Sequence, residues 1–145
     1  PPRSSLAELC GAAWAAIEPS ALSREVPGPL GGLETLLTAE SIQEVERGER
    51  YPTAIPLLPG TKTPYLEPLG MWRALLGDLA VGEDRAVMAS RFFVGVLDAL
   101  ALLAQKTGVQ RWQLVGPAFD FPLFREGLST RLSGLGHHLH TGGLS

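Results

Sequence analysis

Along most of this chain apolar residues recur every three or four positions, a period that predicts a protein built mainly from helices. Leu6, Leu9, Cys10, Ala13, Trp14 and Ile17 make one stripe. Ser4 or Ser5 can cap that helix, and Pro19, which lacks an amide donor and clashes with the preceding turn, ends it. A turn-rich stretch over 23–32 follows. Residues 33–47 then read as helical through Leu33, Leu36, Leu37, Ile42 and Val45, with a break near Ser41 where a new cap can form. Pro52, Pro56, Pro59, Pro64 and Pro68 exclude a helix over 51–68 and disfavour a central strand. That stretch is expected to be an extended connection packed by Tyr51, Ile55, Leu57 and Leu58.

Pro68 suits the first position of a helix over 69–81 whose Leu69, Trp72, Leu75, Leu76 and Leu79 turn toward the core. Asp84 caps the longest helix, 85–106, which is apolar nearly all round and therefore central. Gly108 is a good stop for it. Residues 112–115 read as a strand, 121–132 as a helix and 137–140 as a last strand. This order implies two parallel strands joined by a right-handed crossover. The expected fold is α/β but mostly helical. It is a single domain over 1–145, with a helical and proline-rich part over 1–66 and a helix-helix-strand-helix-strand part over 67–145.

The 145 residues suffice for one self-sufficient core. A net charge of −3, with twelve basic residues scattered and none in runs, argues against a nucleic-acid partner, whose phosphates require clustered cations. One cysteine, Cys10, cannot form an intramolecular disulfide and fits a reducing compartment. No stretch stands out as the roughly 20 apolar residues that span a bilayer, and a cytoplasmic location is expected.

Four ordered segments resemble the C-terminal, Kae1-like region of the hydrogenase-maturation carbamoyltransferases (the HypF family), which is related to the actin-like ATPases. Leu9-Cys10-Gly11-Ala12-Ala13-Trp14-Ala15-Ala16-Ile17 is similar to S-C-G-R-x-F-D-A-V. Val26-Pro27-Gly28-Pro29 with Leu33-Glu34 is similar to Y-E-G-[EQ]-A-A…L-E. Leu66-Glu67-Pro68-Leu69 and then 73–79 resemble L-D-P…L-L-R-A-L-L-x-D-L. Arg91-Phe92 through Asp98-Ala99-Leu100, then 114–121, resemble R-F-H…A-L-A and L-S-G-G-V-F-Q-N. The resemblance implies a partial ribonuclease-H-like or actin-like ATPase lobe with a short parallel strand pair. It implies nucleotide or anion contacts at Gly28, Gly116 and Asp120.

The departures from that pattern bear on chemistry. The family's glycine turn lets backbone amides approach phosphate. Here Pro117 removes a donor beside Gly116, Phe121 replaces the closing asparagine, Ala15 and Ala12 replace an aspartate and an arginine, and Pro27 replaces a carboxylate. The second glycine-acid loop and the upstream zinc-finger and adenylating modules are not in this sequence. Autonomous ATP-dependent carbamoyl transfer is therefore not expected.

Bland readings compete with each candidate. Asp120 also suits a helix cap ahead of Pro122. His138 and His140 alternate onto one strand face as metal ligands would, but no cysteine or aspartate lies beside them. Cys10, on an apolar stripe, reads as a small core residue. No nucleophile triad or Walker-type loop is present. The expected role is a non-catalytic HypF-like assembly, scaffold or regulatory subunit in nickel–iron hydrogenase maturation. It would need no cofactor, with ATP or a metal ion as the alternatives, and would act as a homodimer or on a partner protein. Two other readings stay open: a half-site of an ATP-dependent carbamoyl or acyl transferase completed by a partner chain, and an unrelated helical adaptor.

Overall fold

The computed structural model describes residues 6–18, 30–107, 111–114, 121–134 and 138–141. Five helices carry the architecture: α1 (Leu6–Ile17), α2 (Ala39–Arg47), α3 (Leu69–Ala80), α4 (Arg85–Thr107) and α5 (Pro122–Gly134). A 3-10 turn, Leu33–Leu36, precedes α2. The strands β1 (Arg111–Leu114) and β2 (His138–Thr141) run parallel, Arg111 opposite His138 and Leu114 opposite Thr141.

α4 is the axis. Asp84 starts it, its carboxylate accepting from the Val87 amide at 3.2 Å, so one of the orphan donors of the first turn is satisfied. Phe92, Phe93, Val94, Val96 and Leu97 are all buried and point to more than half of the helix's circumference. α1, α2, α3 and α5 each pack against it. This 23-residue helix is long and apolar enough to cross a membrane by length and composition, which corrects the expectation that no stretch qualified. In the fold 56% of its most apolar window is buried, as in the core helix of a bundle.

The break before α2 falls earlier than Ser41. Leu37 and Thr38 are extended, and Thr38 accepts from the Ser41 amide at 3.0 Å, so threonine and not serine caps the helix. The proline-rich stretch is more ordered than a plain connection. Ala54 bridges Glu67 and Leu57 bridges Pro64 in antiparallel fashion, so 54–67 fold back as a hairpin. Its ladder takes its amides from Leu58, Tyr65 and Glu67, and Pro56 contributes only a carbonyl. The prolines occupy positions where no donor is needed.

On α3 the buried pair is Met71 and Leu75, with Leu79 and Trp72 partly covered. Leu69 and Leu76, expected to face inward, are 49% and 61% exposed. They lie seven residues apart on one face, roughly opposite Met71 at 100° per residue.

The expected α/β class, with a partial ribonuclease-H-like or actin-like lobe, is corrected by this architecture. One hydrophobic cluster running from Cys10 to Leu132 lies between helices. The β1–β2 ribbon has two strands of four residues and no third strand among the described residues. So small a ribbon, with α5 packed against β2, is marginal by itself. The fold is helical.

Candidate functional site

Two charged clusters flank α4, and both follow from the cost of putting a charge on an apolar helix. An unpaired charge in a poorly hydrated setting is expensive, so Arg91 and Asp98, seven residues apart among buried neighbours, each require partners. Arg91 finds Asp78 of α3, Nη1 to Oδ2 at 2.7 Å, with Glu49 and Glu83 each at 3.5 Å. The buried phenol of Tyr51 donates to the same Asp78 oxygen at 2.8 Å. Burial and that hydrogen bond together push the Tyr51 phenol well above its ordinary range. Burial works against the Arg91 charge, but the hydrogen bond and field of Asp78 outweigh it and hold the guanidinium above its usual value.

Asp98 is gripped from both sides. Arg50 Nη1 reaches one carboxylate oxygen at 2.9 Å and Arg131 Nε reaches the other at 3.0 Å. Glu46 bonds to Arg131 and lies 3.5 Å from Arg50, which closes a ring of two cations and two anions across α2, α4 and α5. The charges alternate in sign, so each is satisfied by two neighbours and the ring is neutral. Arg131 also donates to the Gly127 carbonyl of its own helix at 3.0 Å.

Beside this ring the α4–α5 seam opens into a shallow groove of about 460 Å³, where Asp98, Ala101, Leu102 and Gln105 face Thr130 and Arg131. The Asp98–Arg131 pair closes one side, Ala101 and Leu102 supply the aliphatic part of the floor, and Gln105 and Thr130 border it. The arrangement suits an apolar segment better than a free anion, because both arginines are already paired.

Of the sequence-derived candidates, Gly28, Gly116 and Asp120 lie outside the described residues. His138 and His140 fall in β2, whose backbone alone is described. Among the described residues no group of three or more histidine, cysteine, aspartate or glutamate side chains is placed to hold a metal ion. Cys10 is fully buried, and its thiol is pushed up to about 12 by burial, with the Glu34 carboxylate adding to the shift. Such a thiol carries almost no thiolate near neutrality and is no nucleophile. The residues that sequence reasoning missed are Glu46, Arg50, Asp98 and Arg131. Part of the signal was visible: Glu46 and Arg50 stand at helical i, i+4 spacing, and Asp98 interrupts an apolar helix.

The sequence matches no protein-family model, no curated protein and no solved structure.

Proposed function

We propose that this chain is a non-catalytic relative of the hydrogenase-maturation carbamoyltransferases, serving as an assembly, scaffold or regulatory subunit in nickel–iron hydrogenase maturation. One observation supports the reading above others. Two separate segments that resemble the family, 73–79 and 91–100, contribute the two halves of a single ion pair, Asp78 and Arg91. Segments inherited together would be expected to pack together in this way. The kinship proposed is one of segments and their packing, and the actin-like lobe is not part of it.

The same pairing argues for an architectural role. Arg91 and Asp78 hold α4 against α3, and Asp98 holds α4 against α5, so these charges are committed to each other. At the turn that carries phosphate in the family, the chain has Pro117 and Phe121 where an amide donor and an asparagine would serve. A subunit of this kind acts in the cytoplasm, by contact with other proteins, and requires neither nucleotide nor metal.

Deleting the coding sequence from its native host tests this proposal. Loss of mature hydrogenase, restored by the intact chain and also by variants at Gly116 and Asp120, is the expected result. Full hydrogenase maturation in the deletion strain contradicts it.

A further inference from the structure

We propose that the chain self-associates by reciprocal docking, the hairpin tip of one copy seated in the α4–α5 groove of a second copy. This goes beyond the functional reading and does not depend on it.

The tip is the first half of the argument. Residues 57–63 are all exposed, and they begin with the consecutive apolar run Leu57, Leu58 and Pro59. Leu57 is 52% and Leu58 42% exposed. Single exposed leucines are ordinary, but three consecutive apolar residues on a protruding turn signal a contact. The turn is also held in shape. Leu58 exchanges backbone bonds with Thr63 and Thr61, and the Thr61 hydroxyl donates to the Leu58 carbonyl at 2.8 Å while accepting from the Thr63 amide. A segment ordered in advance loses little entropy on binding. Prolines along both arms interrupt the donors that strand addition would use, so the tip must engage through side chains.

The groove is the complementary half. The tip's two leucines and proline ring are a compact apolar group, and the open groove offers about 460 Å³ to receive it. Leu102 and Ala101 supply an aliphatic floor. The neutral ion ring beside them means that docking strands no lone charge. Lys62 is the one cation between Arg50 and Arg73. Glu126, exposed and one helical turn before Thr130 on α5, is placed to meet it at the groove's edge.

Placement favours a second copy over any other occupant. Lys106 donates to the Ile55 carbonyl at 3.0 Å, which ties the root of the hairpin to the last turn of α4. Gln105, the preceding residue, lines the groove. The root of the hairpin and one end of the groove therefore lie at the same end of α4, and a twofold axis at that end would bring each tip to the other copy's groove, the self-complementary arrangement that closes a dimer. Seven tip residues and seven groove residues per copy are fewer than the roughly 20–30 a side of a standard interface, so a weak, concentration-dependent association is expected.

Sedimentation equilibrium of the purified chain, from about 5 to 500 μM, measures the association. A monomer–dimer equilibrium within that concentration range is expected, abolished by Leu57→Ser with Leu58→Ser and unaffected by Val81→Ser, another exposed apolar position. Contact is then tested by mixing two separately prepared variants, Leu58→Cys and Thr130→Cys, under mild oxidation. A disulfide joining the two variants supports reciprocal docking. A monomer at 500 μM, a dimer that survives the double serine change, or the absence of the mixed disulfide overturns it.

Discussion

Arg131 Nε donates to Asp98 Oδ1 across 3.0 Å, and this bond ties α5 to the central helix. Removing one member of a well-buried pair typically costs about 3–5 kcal/mol, because the survivor is left uncompensated. Here the Asp98 side chain is 31% and that of Arg131 14% exposed, so water screens part of the loss. Asp98→Asn and Arg131→Met are each expected to lower unfolding free energy by about 2 kcal/mol, read from urea midpoints at constant slope. The double variant should lose less than the sum of the two. Strict additivity would mean that the ring does not act as a unit.

Gly32 has φ of 111°, and a methyl group there would lie 2.1 Å from the Trp14 ring. Both backbone and packing forbid a side chain. Gly32→Ala should destabilise by about 3 kcal/mol or more. Gly60, at φ 75° with nothing within 4 Å, isolates the backbone contribution. Gly60→Ala should cost about 1 kcal/mol. Similar losses at the two positions would contradict the close Gly32–Trp14 approach.

Adjacent leucines on α3 test which way that helix faces. Leu75 is fully buried and Leu76 is 61% exposed. Leu75→Ala is expected to cost about 2–5 kcal/mol through lost burial and a residual cavity. Leu76→Ala should stay within about 0.5 kcal/mol. Reversed magnitudes would place the opposite face inward.

Stability should fall in alkali. The thiol of Cys10 is raised from 9.0 to about 12, so between those values the unfolded chain has lost a proton that the folded chain keeps. The folded state is therefore fully favoured below pH 9 and loses up to about 1.4 kcal/mol per pH unit as pH rises toward 12. Tyr51, raised from 10.0, adds a second loss above pH 10. Cys10→Ala should remove the part that begins near pH 9, and Tyr51→Phe the part that begins near pH 10. Unchanged alkaline profiles in both variants would refute the assigned burial.

Much of the helical frame was legible because its signals are local. Asp84 ahead of an apolar run announces α4, and Pro122 opens α5, each within a residue or two of its observed start. Other features depend on partners distant in sequence. The Arg131–Glu46 pair spans 85 positions, and nothing near either residue names the other. The hairpin was hidden by its prolines, which weaken a strand reading without preventing isolated bridges. On α3, leucines point to two faces at once, so periodicity alone could not choose between Leu75 and Leu76. The actin-like lobe was inferred from resemblance, and here a helical core takes its place. Of the candidate site, the i, i+4 pair of Glu46 and Arg50 and the charge at Asp98 were readable. Their assembly into a ring was not.

On the proposed reading, this chain's charges serve its architecture and do not grip a triphosphate. Isothermal titration of magnesium-ATP into the purified protein tests that claim directly. No saturable heat up to millimolar nucleotide, with an unchanged melting temperature, is the predicted result. Stoichiometric binding, accompanied by the roughly 2.7 kcal/mol of stabilisation that ligand at a hundred times its Kd confers, would contradict it.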